Sequence, residues 1–347
     1  MSVTTSVWGT TKDGKTVHQY TLENGNGMKV VVSDFGAILC KVLVPDAQGN
    51  LEDVVLGFDD VASYEVNSSF FGCVVGPSAN RIGGASFTID GKEYHIVVND
   101  NDNNLHSDKE HGYHKQVYSA EVGASSVRLT LKDSDGNMGF PGNKIFSVTY
   151  SLSEANELSL HYEADSDANT IINPTNHTYF NLRGHQDPTI EDHIMRIKAS
   201  HYTPGDAHLI PTGEIATTIG TPLDFTNAKP IGQDIGAQHE QLIAGGGYDQ
   251  NFVVDGFDGQ LQQIAEVSAP KTTRRMKVFT TLPGMQLYTG NFIGAQHGKD
   301  GVTYQNRCGL AMETQLFPDS IHKENFPNAI FGPARKYNST TVYAFCN

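Results

Sequence analysis

The chain of 347 residues carries 39 Asp and Glu against 24 Lys and Arg, a formal net charge of −15. That balance repels nucleic-acid phosphate and anionic membrane surfaces, so neither is expected as a partner. Charged residues at 18% and hydrophobic residues at 38% describe an ordinary globular chain able to bury a sizeable core, not a disordered one.

The first stretch, "MSVTTSVWGTTKDGKTV", has no apolar run suited to a signal peptide, and no later segment reaches the ~20 apolar residues of a membrane span. A cytoplasmic protein is expected. Cys40, Cys73, Cys308 and Cys346 are scattered singly, the pattern of reduced thiols rather than of a zinc knuckle. The sequons at Asn67, Asn176 and Asn338 read as chance matches.

Period-two alternation then dominates. "MKVVVSD" from Met28 is the first such segment, and a short helical pattern follows around residues 60–65. "VRLTLK" sets Val127, Leu129 and Leu131 on one face; "FSVTYSL" does so with Phe146, Val148, Tyr150 and Leu152, and "LSLHYEA" with Leu158, Leu160 and Tyr162. "MQLYTG" and "TVYAF" repeat the pattern near the carboxyl end. Asn24-Gly25-Asn26-Gly27, Asp90-Gly91, Asp135-Gly136 and Pro141-Gly142 mark turns, and "AGGGYDQNF" reads as a loop entering a strand. Many short strands with no repeat period and no linker predict one all-β domain over residues 1–347, a sandwich or barrel.

Polar groups suited to chemistry gather in four places. "GPSANRI" carries Asn80 and Arg81, and "NNLHSDKEHGYHKQVY" carries His106, His111 and His114. The three histidines fit no common zinc spacing and read as solvated loop residues. "NPTNHTYFNL", taken as extended chain, sends Asn173, Thr175, His177, Tyr179 and Asn181 to one face. "GLAMETQLFPDS" lodges Glu313 beside Ala311 and Gln315 on one face, with Leu310, Met312 and Leu316 on the other. A carboxylate in such surroundings is costly to bury unless it is partnered. Together these groups suit a neutral polyhydroxylated ligand, whose hydroxyls Asp, Asn, Arg and Gln can satisfy while aromatic rings pack on its C–H faces.

The ordered motifs "ANRI", "NLH", "GFPGN", "NPTNHTYFNL", "LIPTGEI", "PLDF", "GYDQNF", "QLYTGNF" and "ETQLFPDS" span nearly the whole chain, which resembles the aldose 1-epimerases or galactose mutarotases. The resemblance implies a large antiparallel β-supersandwich with an open cleft over one sheet. It also implies cofactor-free, metal-free interconversion of the anomers of a free hexose, galactose or glucose. Carried over by motif, Glu313 is the general base and His177 the general acid, a ring whose unperturbed pKa of about 6.5 suits that role at neutral pH. Asn80, Arg81, His106, Asp249 and Gln286 hold sugar hydroxyls, with Tyr179 as a wall. A monomer or weak homodimer is expected.

The chain departs from the family pattern at Ser107 and Asp108, where a glycine pair is common, and at Gln250, where the family often has histidine; these positions bear on sugar preference. Three rival readings remain at this point. A hexose-phosphate epimerase needs a cationic pocket for the phosphate, for which Arg81, Lys109 and Lys115 are the obvious candidates. A non-catalytic sugar-binding protein needs no acid–base pair. A glycosidase would pair Asp249 with Glu313.

Overall fold

A computed structural model describes all residues, 1–347, and its regular structure is almost wholly strand. The expected alternation is realised. Ser126–Asp133, Lys144–Leu152 and Glu157–Ser166 are consecutive antiparallel strands whose predicted apolar residues are all buried. They belong to a nine-stranded sheet with Tyr337–Cys346 at its middle, between Glu157–Ser166 and Arg275–Thr280.

A six-stranded sheet runs in the order Tyr179–Phe180, Leu310–Gln315, Gly284–Tyr288, Asp249–Val253, His201–Thr203, Ala216–Thr217. Its inner face packs on the middle of the larger sheet. The Phe180 and Tyr343 rings lie 4.8 Å apart, Tyr343 Oη donates to the Met312 carbonyl, and the Thr314 and Thr341 hydroxyls are hydrogen-bonded. Face-to-face packing of this kind merges the inner faces into one core, here a contiguous cluster of 66 buried residues. A five-stranded sheet built from Ser2–Thr10 through Leu51–Asp53 adds a smaller cluster of 15, which includes Phe71, Tyr179 and Tyr304.

The short helix falls at Val61–Glu65, where Asp60 caps it by accepting from the Ser63 amide. A second helix, Glu240–Gly245, is absent from the sequence reading; six residues are too few for periodicity to reveal, and left-handed Gly246 ends it. All four cysteines are free thiols, three of them buried.

Candidate active site

In the six-stranded sheet, Tyr179 pairs with Ala311, Ala311 with Tyr288, and Tyr288 with Asp249. Two residues further along, Glu313 pairs with Gln286 and Gln286 with Asn251. Opposed residues of antiparallel strands share a face, so all these side chains lie on the sheet's outer face. Loops and short strands carrying Ser68–Phe70, Asn80–Arg81, Leu105–His106 and Leu209 flank that face, with Phe292 also lining the space. The resulting half-open cleft has a volume of about 220 Å³. Drug-sized ligands occupy pockets of ~300–1,000 Å³, so this one suits a ligand of monosaccharide size.

The polar groups over the sheet are fixed by backbone. The short strands Arg81–Ile82 and Asn104–Leu105 pair, and the His106 amide donates to the Asn80 carbonyl at 3.1 Å. The Asn80 amide donates back to His106 Nδ1 at 3.1 Å. An amide can only donate, so Nδ1 accepts and the neutral ring carries its hydrogen on Nε2. His177 is tied on both sides, its amide to the Cys73 carbonyl and its carbonyl to the Gly72 amide. Phe70 packs against His106, His114 and His177 with ring centroids 4.8, 4.7 and 5.9 Å away. Phe70, Asn80, His106 and Leu209 all have φ between 57° and 60°. Left-handed backbone at residues other than glycine costs about 1–3 kcal/mol each, and its concentration around one cavity marks a shaped site.

His177 Nε2 lies 3.5 Å from Glu313 Oε1 at the cavity floor, with the residues 4% and 2% exposed. Glu313 Oε2 and His177 Nδ1 have no protein partner. Burial holds the Glu313 carboxyl well above its ordinary range; the Asp249 charge adds to this and Arg81 opposes it. Burial pushes His177 down to about 4. The expectation of an imidazole near 6.5 is therefore corrected, because the ring is dry. Burial thus disfavours the charged form of each group, and their nearest side-chain atoms stand 3.5 Å apart. Burial likewise holds His106 well below its ordinary value. It raises Asp249 too, against the pull of Arg81 and a hydrogen bond from Gln286.

Six of the seven residues singled out from the sequence line this cavity: Asn80, Arg81, His106, His177, Asp249 and Glu313. Gln286 does not. It stands behind Asp249 and donates Nε2 to Asp249 Oδ1 at 2.7 Å. The continuous polar face of "NPTNHTYFNL" is also corrected. The chain pairs with Val74–Val75 at Thr175–Asn176, breaks at His177 and Thr178, and enters the six-stranded sheet at Tyr179–Phe180. Only His177 and Tyr179 reach the cavity. Asn173 exchanges two hydrogen bonds with the Leu316 backbone, Thr175 donates to the Thr314 carbonyl and Asn181 to that of Cys308, so these residues serve unpaired backbone.

The solvated-loop reading holds for His111 alone; His106 and His114 are buried around Phe70. The departures from the family pattern lie off the cavity. Ser107 (φ 64°, where glycine is unstrained) accepts from the Ser78 amide and donates to its carbonyl, and Asp108 caps the amides of Glu110 and His111. Gln250 accepts from the Asp249 amide and donates to the Gln241 carbonyl. Sequence reasoning missed Phe70, Leu209, Tyr288 and Phe292. Alternation within "QLYTGNF" sets Tyr288 on the face of Gln286; Phe70 carries no such signal.

His106, His177 and Glu313 present ligand-type atoms within 4.8 Å of one another, the donor set of some zinc sites. The set does not fit a metal. With Nδ1 accepting from the Asn80 amide, His106 Nε2 keeps its hydrogen and has no lone pair to give.

Comparison with known proteins agrees along the whole chain. The sequence model of the aldose 1-epimerase family matches residues 18–344. The galactose mutarotase of Homo sapiens is 37% identical over 346 residues, 99% of this chain and 98% of that protein. The aldose 1-epimerase of Escherichia coli is 32% identical over 96% of each chain. Among solved structures, the galactose 1-epimerase of Lactobacillus acidophilus superposes with a TM-score of 0.86 at 30% identity, covering 100% of this chain and 99% of the other. An aldose epimerase homologue from C. elegans gives 0.87 at 27% identity, covering 94% and 98%.

Proposed function

Because the chain belongs to the aldose 1-epimerase family, we propose that it interconverts the α and β anomers of a free hexose, galactose or glucose, by acid–base opening and reclosure of the sugar ring. The observation that carries the mechanism is the buried contact between His177 and Glu313, each with a polar atom left unpartnered beside a cavity of monosaccharide size.

Glu313 takes the proton of the anomeric hydroxyl as His177 delivers one to the ring oxygen. The bond from C1 to the ring oxygen breaks, leaving an open-chain aldehyde. Rotation about C1–C2 presents the other carbonyl face, and the two residues reverse roles as the ring closes. The reactive form, Glu313 ionised and His177 protonated, contains the same single proton as the neutral pair. It forms by moving that proton within the pair, with no uptake from solvent. Each positioned acid or base contributes ~10²–10⁴-fold.

The remaining groups hold the sugar. His106 Nε2–H, Asn80 and Arg81 offer donors, Asp249 accepts, and Phe70, Tyr288 and Phe292 offer apolar surface to C–H faces. A phosphorylated hexose is disfavoured. Arg81 is the one Lys or Arg lining the cavity, its Nε already donates to Asp100 at 2.8 Å, and Glu313 and Asp249 face the same space.

The test is polarimetry of freshly dissolved α-D-galactose and α-D-glucose with wild type, Glu313→Gln and His177→Asn. Acceleration by wild type and its loss in both variants is expected. Activity surviving in the Glu313 variant overturns that base. Turnover of glucose 6-phosphate in preference to the free sugars overturns the substrate class, and tight sugar binding without acceleration makes the protein a binder only.

A further inference from the structure

Behind Asp249, the outer face of the six-stranded sheet carries a line of amides that take no part in the proton transfers. Gln286 Nε2 donates to Asp249 Oδ1 at 2.7 Å. Gln315 Nε2 donates to Gln286 Oε1 at 3.4 Å and to Asn251 Oδ1 at 3.3 Å. Asn251 Nδ2 donates in turn to Thr203 Oγ1 at 3.3 Å. Gln315, Asn251, Gln286 and Thr203 are all buried, and Gln315 does not line the cavity.

Hydrogen-bond chemistry gives this line one direction. A carboxylate only accepts, so Gln286 must turn its NH₂ toward Asp249. Its oxygen then points back and needs a donor, which the Gln315 NH₂ supplies. With that donor gone, the buried Gln286 oxygen is left unpaired, and the side chain is free to swing off Asp249 in search of a donor. Burial makes the fixed orientation matter, since an unpaired amide in dry surroundings costs more than the bond itself gains.

We propose that Gln315 is a positioning residue for substrate: it fixes the Gln286 amide on Asp249, so that the carboxylate is held where it accepts a sugar hydroxyl. The inference rests on Asp249 acting as that acceptor.

The experiment measures kcat and KM for α-D-galactose in Gln315→Met, Gln286→Met, the double variant and Asp249→Asn. Gln315→Met is expected to raise KM about five-fold, the effect of losing one neutral hydrogen bond, and to leave kcat unchanged. The double variant should be no worse than Gln286→Met alone, because both changes break one line. A general packing role predicts otherwise: kcat would fall too, since Glu313 lies two residues away on the same strand, and the two losses would add. Wild-type KM in a folded Gln315→Met protein, or additive losses, overturns the proposal. If Asp249→Asn leaves KM unchanged, the acceptor reading fails and the proposal with it; if Asp249→Asn raises KM and Gln315→Met does not, the amide line alone is refuted. Should Gln315→Met lose its native near-ultraviolet dichroism, Gln315→Leu carries the same comparison.

Discussion

Changing Glu313 to glutamine keeps the side chain's size and removes only the acid, so two consequences of opposite sign can be separated. Loss of the base lowers kcat by ~10²–10⁴, or about 3–5 kcal/mol of transition-state stabilisation at ~1.4 kcal/mol per decade. Stability moves the other way. The folded carboxyl lies well above the 4.5 of an unburied glutamate, so as pH rises the unfolded chain gives up its proton first. Wild type therefore loses stability from about pH 4.5 up to the raised folded value, at ~1.4 kcal/mol for each unit of displacement. The variant has nothing to ionise and escapes that loss. Urea midpoints should coincide near pH 4 and separate in the variant's favour at pH 8, while polarimetry records the fall in kcat. A variant that keeps a tenth of wild-type kcat refutes the base, and coincident midpoints at pH 8 refute the raised carboxyl.

His177→Asn should lose kcat on the same scale. His177 titrates near 4 in the fold against 6.5 for a free ring; stability present above pH 6.5 is lost as pH falls toward 4, on the order of 3 kcal/mol for the 2.5-unit difference. The variant should therefore outlast wild type in thermal melts at pH 4.5, and equal melting there contradicts the buried neutral ring. Arg81→Met removes the cation that opposes burial at both Glu313 and Asp249. Its KM should rise and the alkaline limb of kcat/KM, where the pair loses its proton, should move to higher pH, and a limb that stays in place argues against the coupling. Gln250→His should change KM more than kcat, since Gln250 holds the Asp249 amide; an unchanged KM in steady-state kinetics sinks that expectation.

Strands announced themselves where one face is core and the other is wet, as at Val127, Leu129 and Leu131. Glu313 was legible for a related reason: a lone acid among Leu310, Met312 and Leu316 is too costly to leave unexplained. The opening of "NPTNHTYFNL" was misread because alternation presumes an unbroken strand, and nothing in the letters reports that pairing partners change at His177. Gln286 was assigned to the cavity by motif, yet sheet register sets it one step behind Asp249, a distinction of pairing rather than of composition. Phe70 was invisible since its role depends on three histidines that meet only in the folded chain.

Tyr337–Cys346, the strand at the middle of the nine-stranded sheet, also backs the strand that carries Glu313. It is the last of these strands to be synthesised, and its neighbour Glu157–Ser166 emerges 171 residues earlier, counting from Ser166 to Tyr337. At ~5–20 residues per second that neighbour waits about 9–34 s with an unpaired edge and an uncovered apolar face. Throughout that interval the nascent chain has neither a complete core nor an active site. Chains stalled before residue 337 should be protease-sensitive throughout their β structure, with resistance arriving in one step once residue 346 clears the ribosome; resistance that builds strand by strand would show that the first sheets stand without their keystone.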